Sequence, residues 1–276
     1  MRRLLAAAVS TTLFAGFAVT QAFAVSLDCS DEFILAKPPV SPASAGQTQQ
    51  LCFAEFSVLY SAMTRTPIWS AEHLTADDVR AARATPRVDS FHEEQAIAKS
   101  LRSATTDYAR SGFDRGHMTP SGDMRDPQAQ RESFSMANMA PQAPGLNRGL
   151  WEEIESAARD LALASGEVYV VTGPIFAGQP QKLKDRVTVP AGFFKAIYDP
   201  QRRQAGAYVV DNREGARYST MSIAQLAQLT GFDAFPALPA GVKSRTMNLP
   251  KPIGETPTVS AEAGFATAGG TFSYRY

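Results

Sequence analysis

The chain has 276 residues, enough to bury one substantial core or two small ones, and its 44% hydrophobic and 20% charged residues fit an ordinary globular fold. Its 27 basic and 27 acidic residues cancel, so bulk charge alone announces no nucleic-acid binder. With only two cysteines there is no thiolate quartet for a metal, and past the first two dozen residues no segment is long and apolar enough to span a bilayer.

The N-terminus carries Arg2 and Arg3, an apolar stretch, and the small-x-small triplet Ala22-Phe23-Ala24. This is the pattern of a signal peptide over 1–24, and it predicts export to the periplasm or the medium. Ser10, Thr11, Thr12, Thr20 and Gln21 dilute the apolar run, which argues against an uncleaved anchor. Losing Arg2 and Arg3 leaves 25 basic against 27 acidic residues, a net charge of −2. Cys29 and Cys52 follow, and in an exported chain a disulfide between them is the economical expectation. It would staple an N-terminal extension over 25–50, whose Pro/Ser/Ala-rich loop cannot pack itself.

A single α+β domain is expected over 51–243. "CFAEFSVLYS" and "TPIWSAEHL" read as strands, and "LTADDVRAARA" as a short helix capped by Thr75 with acidic residues in its first turn. The polar segment 86–111 gives no clear pattern. A short strand is expected at 115–119, a loop at "SGDMRDPQAQRE", a second strand at "SFSMANMAP", then a helix beginning near Asn147 and closing at Gly166. In that helix Leu150, Trp151, Ile154, Ala157, Ala158 and Leu161 keep the i, i+3, i+4 rhythm of a core face. "EVYVVTGPIF", "VTVPAGFFKAIYD" and "AGAYVVDN" read as strands and "SIAQLAQLTG" as a helix. Residues 244–276 are Pro-, Gly-, Thr- and Ala-rich without periodicity and predict an extended tail. The picture is a mainly antiparallel sheet flanked by helices.

The chemistry concentrates in "FDRGHMTPSGD". His117 lies on the short strand there, Asn138 lies on the following strand, and Asn147, Glu155 and Arg159 follow on the helical segment. On one continuous helix these three would share a slowly drifting stripe, because each four-residue step overshoots a full turn by about 40°. Imidazole, amide, carboxylate and guanidinium would then meet at one point. Taken singly, each residue has a plainer role. His117 could be a core histidine, Glu155 and Arg159 a surface pair, and Asn147 a helix cap. His73 and His92 are read as structural or exposed, Trp151 as core, and Asp123 and Asp126 as loop-capping residues, with a second metal site as the alternative. Arginine outnumbers lysine twenty to seven, but a compositional bias gives the same excess.

"DRGHM", "SFSMANMAPQ" and "LNRGLWEEIESAAR" together resemble the DNA/RNA non-specific endonucleases of the ββα-metal, or His-Me finger, superfamily, which includes endonuclease G. The resemblance extends over most of 51–242. It implies His117 as general base, Asn147 as the single protein ligand of a Mg²⁺ (or Mn²⁺), and Glu155 as holder of metal-bound water. It further implies Arg159 beside the scissile phosphate, Asn138 as support for the site, and Asp114 and Arg115 as flanking groups. Arg87, in "RVDSFHEE", resembles the family's upstream arginine. The implied function is exported, Mg²⁺-dependent hydrolysis of DNA and RNA without sequence specificity. Hydrolysis of another phosphate ester and an inactive nucleic-acid-binding relative stand as alternatives, with a homodimer or an inhibitor protein as further partners. Where the family usually has alanine, five residues past the motif histidine, this chain has Gly122.

Overall fold

The computed structural model describes residues 28–41 and 46–253. The expected signal peptide and most of the expected tail lie outside the described residues.

A seven-stranded antiparallel sheet forms the frame, in the order β1-β2-β3-β6-β9-β10-β11. Its strands are β1 (Thr48–Cys52), β2 (Ser57–Ser61), β3 (Thr66–Thr75), β6 (Glu167–Ile175), β9 (Gly192–Asp199), β10 (Gln204–Asp211) and β11 (Tyr218–Met221). Side chains of a strand alternate faces, so the sheet carries two cores. Val168, Val170, Phe193, Ile197, Tyr208 and Val210 face one way, while Val171, Phe194, Ala196, Ala207 and Val209 face the other.

The helix α4 (Leu150–Ser165) covers the first face. Its Leu150, Trp151, Ile154, Ala157, Ala158 and Leu161 are all buried there, Trp151 against Phe193 with ring centroids 5.5 Å apart. Gly166 ends it at φ +92, a conformation that favours glycine. The helix α1 (Ala76–Ala84) packs beside it, opened by a capping box between Thr75 and Asp78. On the opposite face lies α5 (Ile223–Thr230), capped by Ser222 and closed by left-handed Gly231. The remaining elements are the ribbon β4 (Asp114–His117) with β5 (Met139–Gln142), the short helices α2 (Pro127–Ser133), α3 (Pro144–Asn147) and α6 (Ala240–Lys243), and the small ribbon of β7 (Lys182–Leu183) with β8 (Val187–Thr188).

Several local expectations change. "SFSMANMAP" is not one strand but the end of α2, a 3-10 turn over Met136–Asn138 and then β5, so Asn138 precedes the strand, and "VTVPAGFFKAIYD" divides between β8 and β9. "CFAEFSVLYS" is not one strand but the end of β1, a turn, and β2. The loop after His117 contains α2, with Pro127 at its first turn and Asp126 accepting from the Gln128 and Ala129 amides. The helix expected from Asn147 is broken: α3 ends there, Gly149 takes a non-helical conformation, and only then does α4 start. The first part of the tail packs rather than extends, with Met247 and Leu249 buried and the Met247 amide donating to the Ala205 carbonyl. The expected disulfide is present, joining Cys29 to Cys52 and so tying the N-terminal extension to β1.

Candidate active site

β4, β5 and α4 meet above the first core face, and a cleft of about 440 Å³ opens where they converge. Arg87, Asp114, Arg115, His117, Asn147, Glu155 and Arg159 line it.

His117 is the last residue of β4, paired with Met139 across the ribbon. Phe134 meets its ring edge-on at 4.8 Å and Phe91 lies 5.7 Å away. It is 8% exposed, and Nε2 has no hydrogen-bond partner among the described residues. Burial drives its pKa down to about 3, with Arg87 and Arg115 acting the same way and Asp89 opposing. The imidazole is therefore neutral near pH 7, the form able to accept a proton.

Asn138 does not reach the cleft. It is fully buried, donates to the Thr119 and Ser133 carbonyls, and accepts from the Thr119 amide. It locks the strand that carries His117 to the chain entering β5, so it positions the site rather than lining it.

Asn147 reaches the cleft from the end of α3, not along α4, so the shared helical stripe does not exist. The turn of α3 is held instead by the loop between β10 and β11. The Ala143 amide donates to Asn212 Oδ1 and the Gly145 amide to Glu214 Oε1. The Asn147 amide nitrogen donates to Asp114 Oδ2 at 3.0 Å, which leaves its carbonyl oxygen available. Arg148 grips both Asp114 oxygens, at 2.8 and 2.7 Å. Burial favours protonation of Asp114, but the bonds from Arg148 and Asn147 prevail and lower its pKa.

Glu155 and Arg159 do lie one turn apart on α4. Glu155 is 9% exposed, and burial raises its pKa to about 7 against the pull of Lys195 and Arg159. Arg159 donates to Asp123 Oδ1 at 2.9 Å. Asp123, expected to cap a loop or to join a second metal site, is 2% exposed and forms the other half of this buried pair. Arg115 stacks over Phe91 at 4.0 Å, and Arg87 donates to Asp89 and to Ser121 while lying 5.2 Å from the Phe134 ring. Four arginines, Arg87, Arg115, Arg148 and Arg159, thus rim a cleft whose floor is a neutral imidazole and a carboxyl poised near neutrality.

The family model for DNA/RNA non-specific endonucleases matches residues 39–241, which include every residue of this cleft. The chain belongs to the DNA/RNA non-specific endonuclease family. Among relatives of this family, it is 36% identical over 174 residues to Nuclease C1 of Cunninghamella echinulata var. echinulata, covering 57% of this chain and 69% of the relative. It is 32% identical to the mitochondrial endonuclease G of Bos taurus, covering 55% and 54%, and 32% identical to the mitochondrial nuclease of Saccharomyces cerevisiae, covering 52% and 48%. The chain thus spans about half the length of those two mitochondrial relatives. A crystal structure of the EndoG/EndoGI complex, concerned with the mechanism of EndoG inhibition, superposes with a TM-score of 0.58 at 28% identity, covering 70% of this chain and 91% of the other. The α+β endonuclease fold and the endonuclease-family enzyme expected from the sequence are both borne out.

Metal dependence is typical of the family, and the donors here fit a hard divalent cation. Among the described residues no three His, Cys, Asp or Glu side chains converge to hold an ion. An amide oxygen with its nitrogen already tied to Asp114, beside a buried carboxyl, instead suits an ion that keeps most of its waters.

Sequence reading missed Arg148, Asp123, Phe91, Phe134 and Lys195 around this site. Arg148 sits next to Asn147 in sequence and was the most accessible of them. The others lie 17 to 40 residues from the groups they act on, Phe134 and Phe91 beside His117, Asp123 beside Arg159 and Lys195 acting on Glu155, where no local pattern speaks.

Proposed function

We propose that the protein is an exported endonuclease that hydrolyses phosphodiester bonds of DNA and RNA without sequence specificity, with Mg²⁺ as its metal and His117 as general base. The observation that carries this reading is the one cleft holding neutral His117, the Asn147 amide, the Glu155 carboxyl and four arginines.

Asn147 would hold the ion through its carbonyl oxygen and Glu155 through water. When bound, the ion supplies positive charge to the phosphate oxygens and the leaving oxygen. His117 takes a proton from the attacking water at its imidazole as the oxygen closes on phosphorus. Arg159, Arg115 and Arg87 balance the charge that builds on the non-bridging oxygens as the bond to the leaving oxygen breaks. Asp114 orients Asn147, and Asn138 fixes the strand beneath His117. Groups that face phosphate carry no information about base identity, which accounts for action on any sequence.

Export rests on the signal-peptide pattern of 1–24 and on the Cys29–Cys52 bond, which persists in oxidising compartments. An inhibitor protein that occupies the cleft is a further proposed partner, by analogy with the EndoG/EndoGI complex.

The test is digestion of supercoiled plasmid and total RNA by the purified mature protein, with Mg²⁺ or with EDTA. Loss of both polymers only with Mg²⁺ is expected; intact polymers in Mg²⁺ would refute the proposal.

A further inference from the structure

A second cavity, of about 240 Å³, lies behind the cleft, and Asp123 joins the two: it walls the second cavity while accepting Arg159 from the first. Asp31, Glu32, Glu55, Glu72, Asp78 and Asp123 line it, against one guanidinium, Arg125, and one imidazole, His73. Most of these carboxylates have donors from the protein. Glu32 accepts the His73 amide, Glu55 accepts the Arg125 amide and pairs with its Nε, and Asp78 caps α1. Glu72 is different. It is 2% exposed, and its Oε2 has no hydrogen-bond partner among the described residues. A buried carboxyl oxygen left without a partner is costly and calls for an occupant. Burial holds the Glu72 carboxyl well above the ordinary carboxylate range, Asp123 adds to the shift and Lys195 opposes it, so a cation at this wall would relieve an existing penalty.

The spacing of the carboxylates narrows the class of cation. They surround the cavity without converging on a point to hold a bare ion. A cation that brings its own outward-pointing donors fits such a wall, and an ammonium group has three donors and no acceptor. Ala54, Leu74 and Met124 line the same cavity and offer an apolar surface to a methylene stem. Charge also occurs at two depths, with Glu72 buried and Asp31 exposed at the rim. At about 30 Å³ per water the space equals roughly eight waters, enough for a short chain with an amine at each end.

We propose that this cavity binds a short alkyl diamine or polyamine, one ammonium donating to Glu72 and the other to the carboxylates at the rim.

Calorimetric titration of the mature protein tests this, in buffer with EDTA and without nucleic acid, using 1,4-diaminobutane and, separately, n-butylamine. Saturable one-site binding of the diamine is expected, weaker for the monoamine, and weakened about tenfold or more by Glu72→Gln, which removes one charge-assisted bond. Glu72→Gln replaces a buried carboxyl by a neutral group of the same shape, and unchanged circular dichroism checks that it folds. Asp31→Asn, at an exposed position, should weaken the diamine and leave the monoamine unaffected. No saturable heat, or equal affinity in wild type and Glu72→Gln, overturns the proposal and leaves a water-filled cavity. Glu72-dependent binding of Mg²⁺ or Ca²⁺ to Asn147→Ala, assayed without EDTA, overturns it in favour of a metal site if the diamine does not bind. These titrations do not depend on cleavage, so they stand or fall apart from the nuclease reading.

Discussion

Asp114 and Asn147, 33 residues apart in sequence, meet at 3.0 Å, with the asparagine amide donating to the aspartate. The bond decides which end of the Asn147 side chain is free. The carbonyl oxygen is the end that suits a hard cation, and Arg148 holds Asp114 in place from the other side.

Replacing Asp114 by Ala should therefore weaken the metal rather than remove the base. Partners of this kind are worth about 10- to 100-fold in metal affinity. Mg²⁺ titration of plasmid cleavage should show the midpoint rising by that factor, with much of the rate recovered at saturating Mg²⁺. An unchanged midpoint would deny Asp114 its positioning role.

Glu32 gives stability a dependence on pH. Burial is the main cause of its rise from the ordinary 4.5 to about 7; Glu55, Asp31 and Asp78 add to it and the His73 amide opposes it. Between those values the folded chain binds more protons than the unfolded chain, so stability is full below about pH 4.5 and is lost as pH rises through about 7. Glu32→Gln should flatten that part of the profile. Urea midpoints measured from pH 5 to 8 for both proteins check it; parallel profiles would contradict the assignment.

The Cys29–Cys52 bond closes a loop of 23 residues. Constraining the unfolded chain by such a loop is worth roughly 3 kcal/mol. Cys29→Ser with Cys52→Ser should lower the stability measured by denaturant titration by about that amount while leaving plasmid cleavage intact, since neither cysteine lines the cleft. Loss of cleavage under conditions where the double variant remains folded would tie the N-terminal extension to catalysis.

Gly122 lies against Arg159. A Cβ added there would stand 3.3 Å from Arg159 Nη1, the far end of a flexible side chain, and the glycine is not in the left-handed region. Gly122→Ala should fold normally and change cleavage far less than loss of Arg159 itself. Steady-state rates for Gly122→Ala and Arg159→Ala make the comparison, and equal losses would mean that Gly122 is needed for the loop's own shape.

Much of the frame was legible because its signals are local. Thr75 and Ser222 mark helix starts, Gly166 and Gly231 mark helix ends, and the near-continuous apolar runs of β6, β9 and β10 mark strands buried on both faces. The break between α3 and α4 was not legible. The apolar rhythm of "LNRGLWEEI" runs through it, and what sets the break is remote. Asn212 and Glu214 hold α3 from the β10–β11 loop, 69 residues further along the chain, and a Cβ at Gly149 would come within 2.7 Å of the Gly145 carbonyl. The cleft residues were found although the stripe argument that grouped them assumed one helix. Asn147 reaches Glu155 and Arg159 across a turn, not along a helix. Asp123 and Lys195 stayed hidden for a related reason, since a buried charge declares itself only when its partner's position is known.

The central claim is that His117 is the base of a single catalytic cleft. Rates of plasmid cleavage at saturating Mg²⁺ for wild type and His117→Ala test it most directly, with circular dichroism and Mg²⁺ midpoints as controls. A loss of about 10²- to 10⁴-fold, with fold and Mg²⁺ midpoint unchanged, is predicted. Undiminished cleavage by His117→Ala would contradict it.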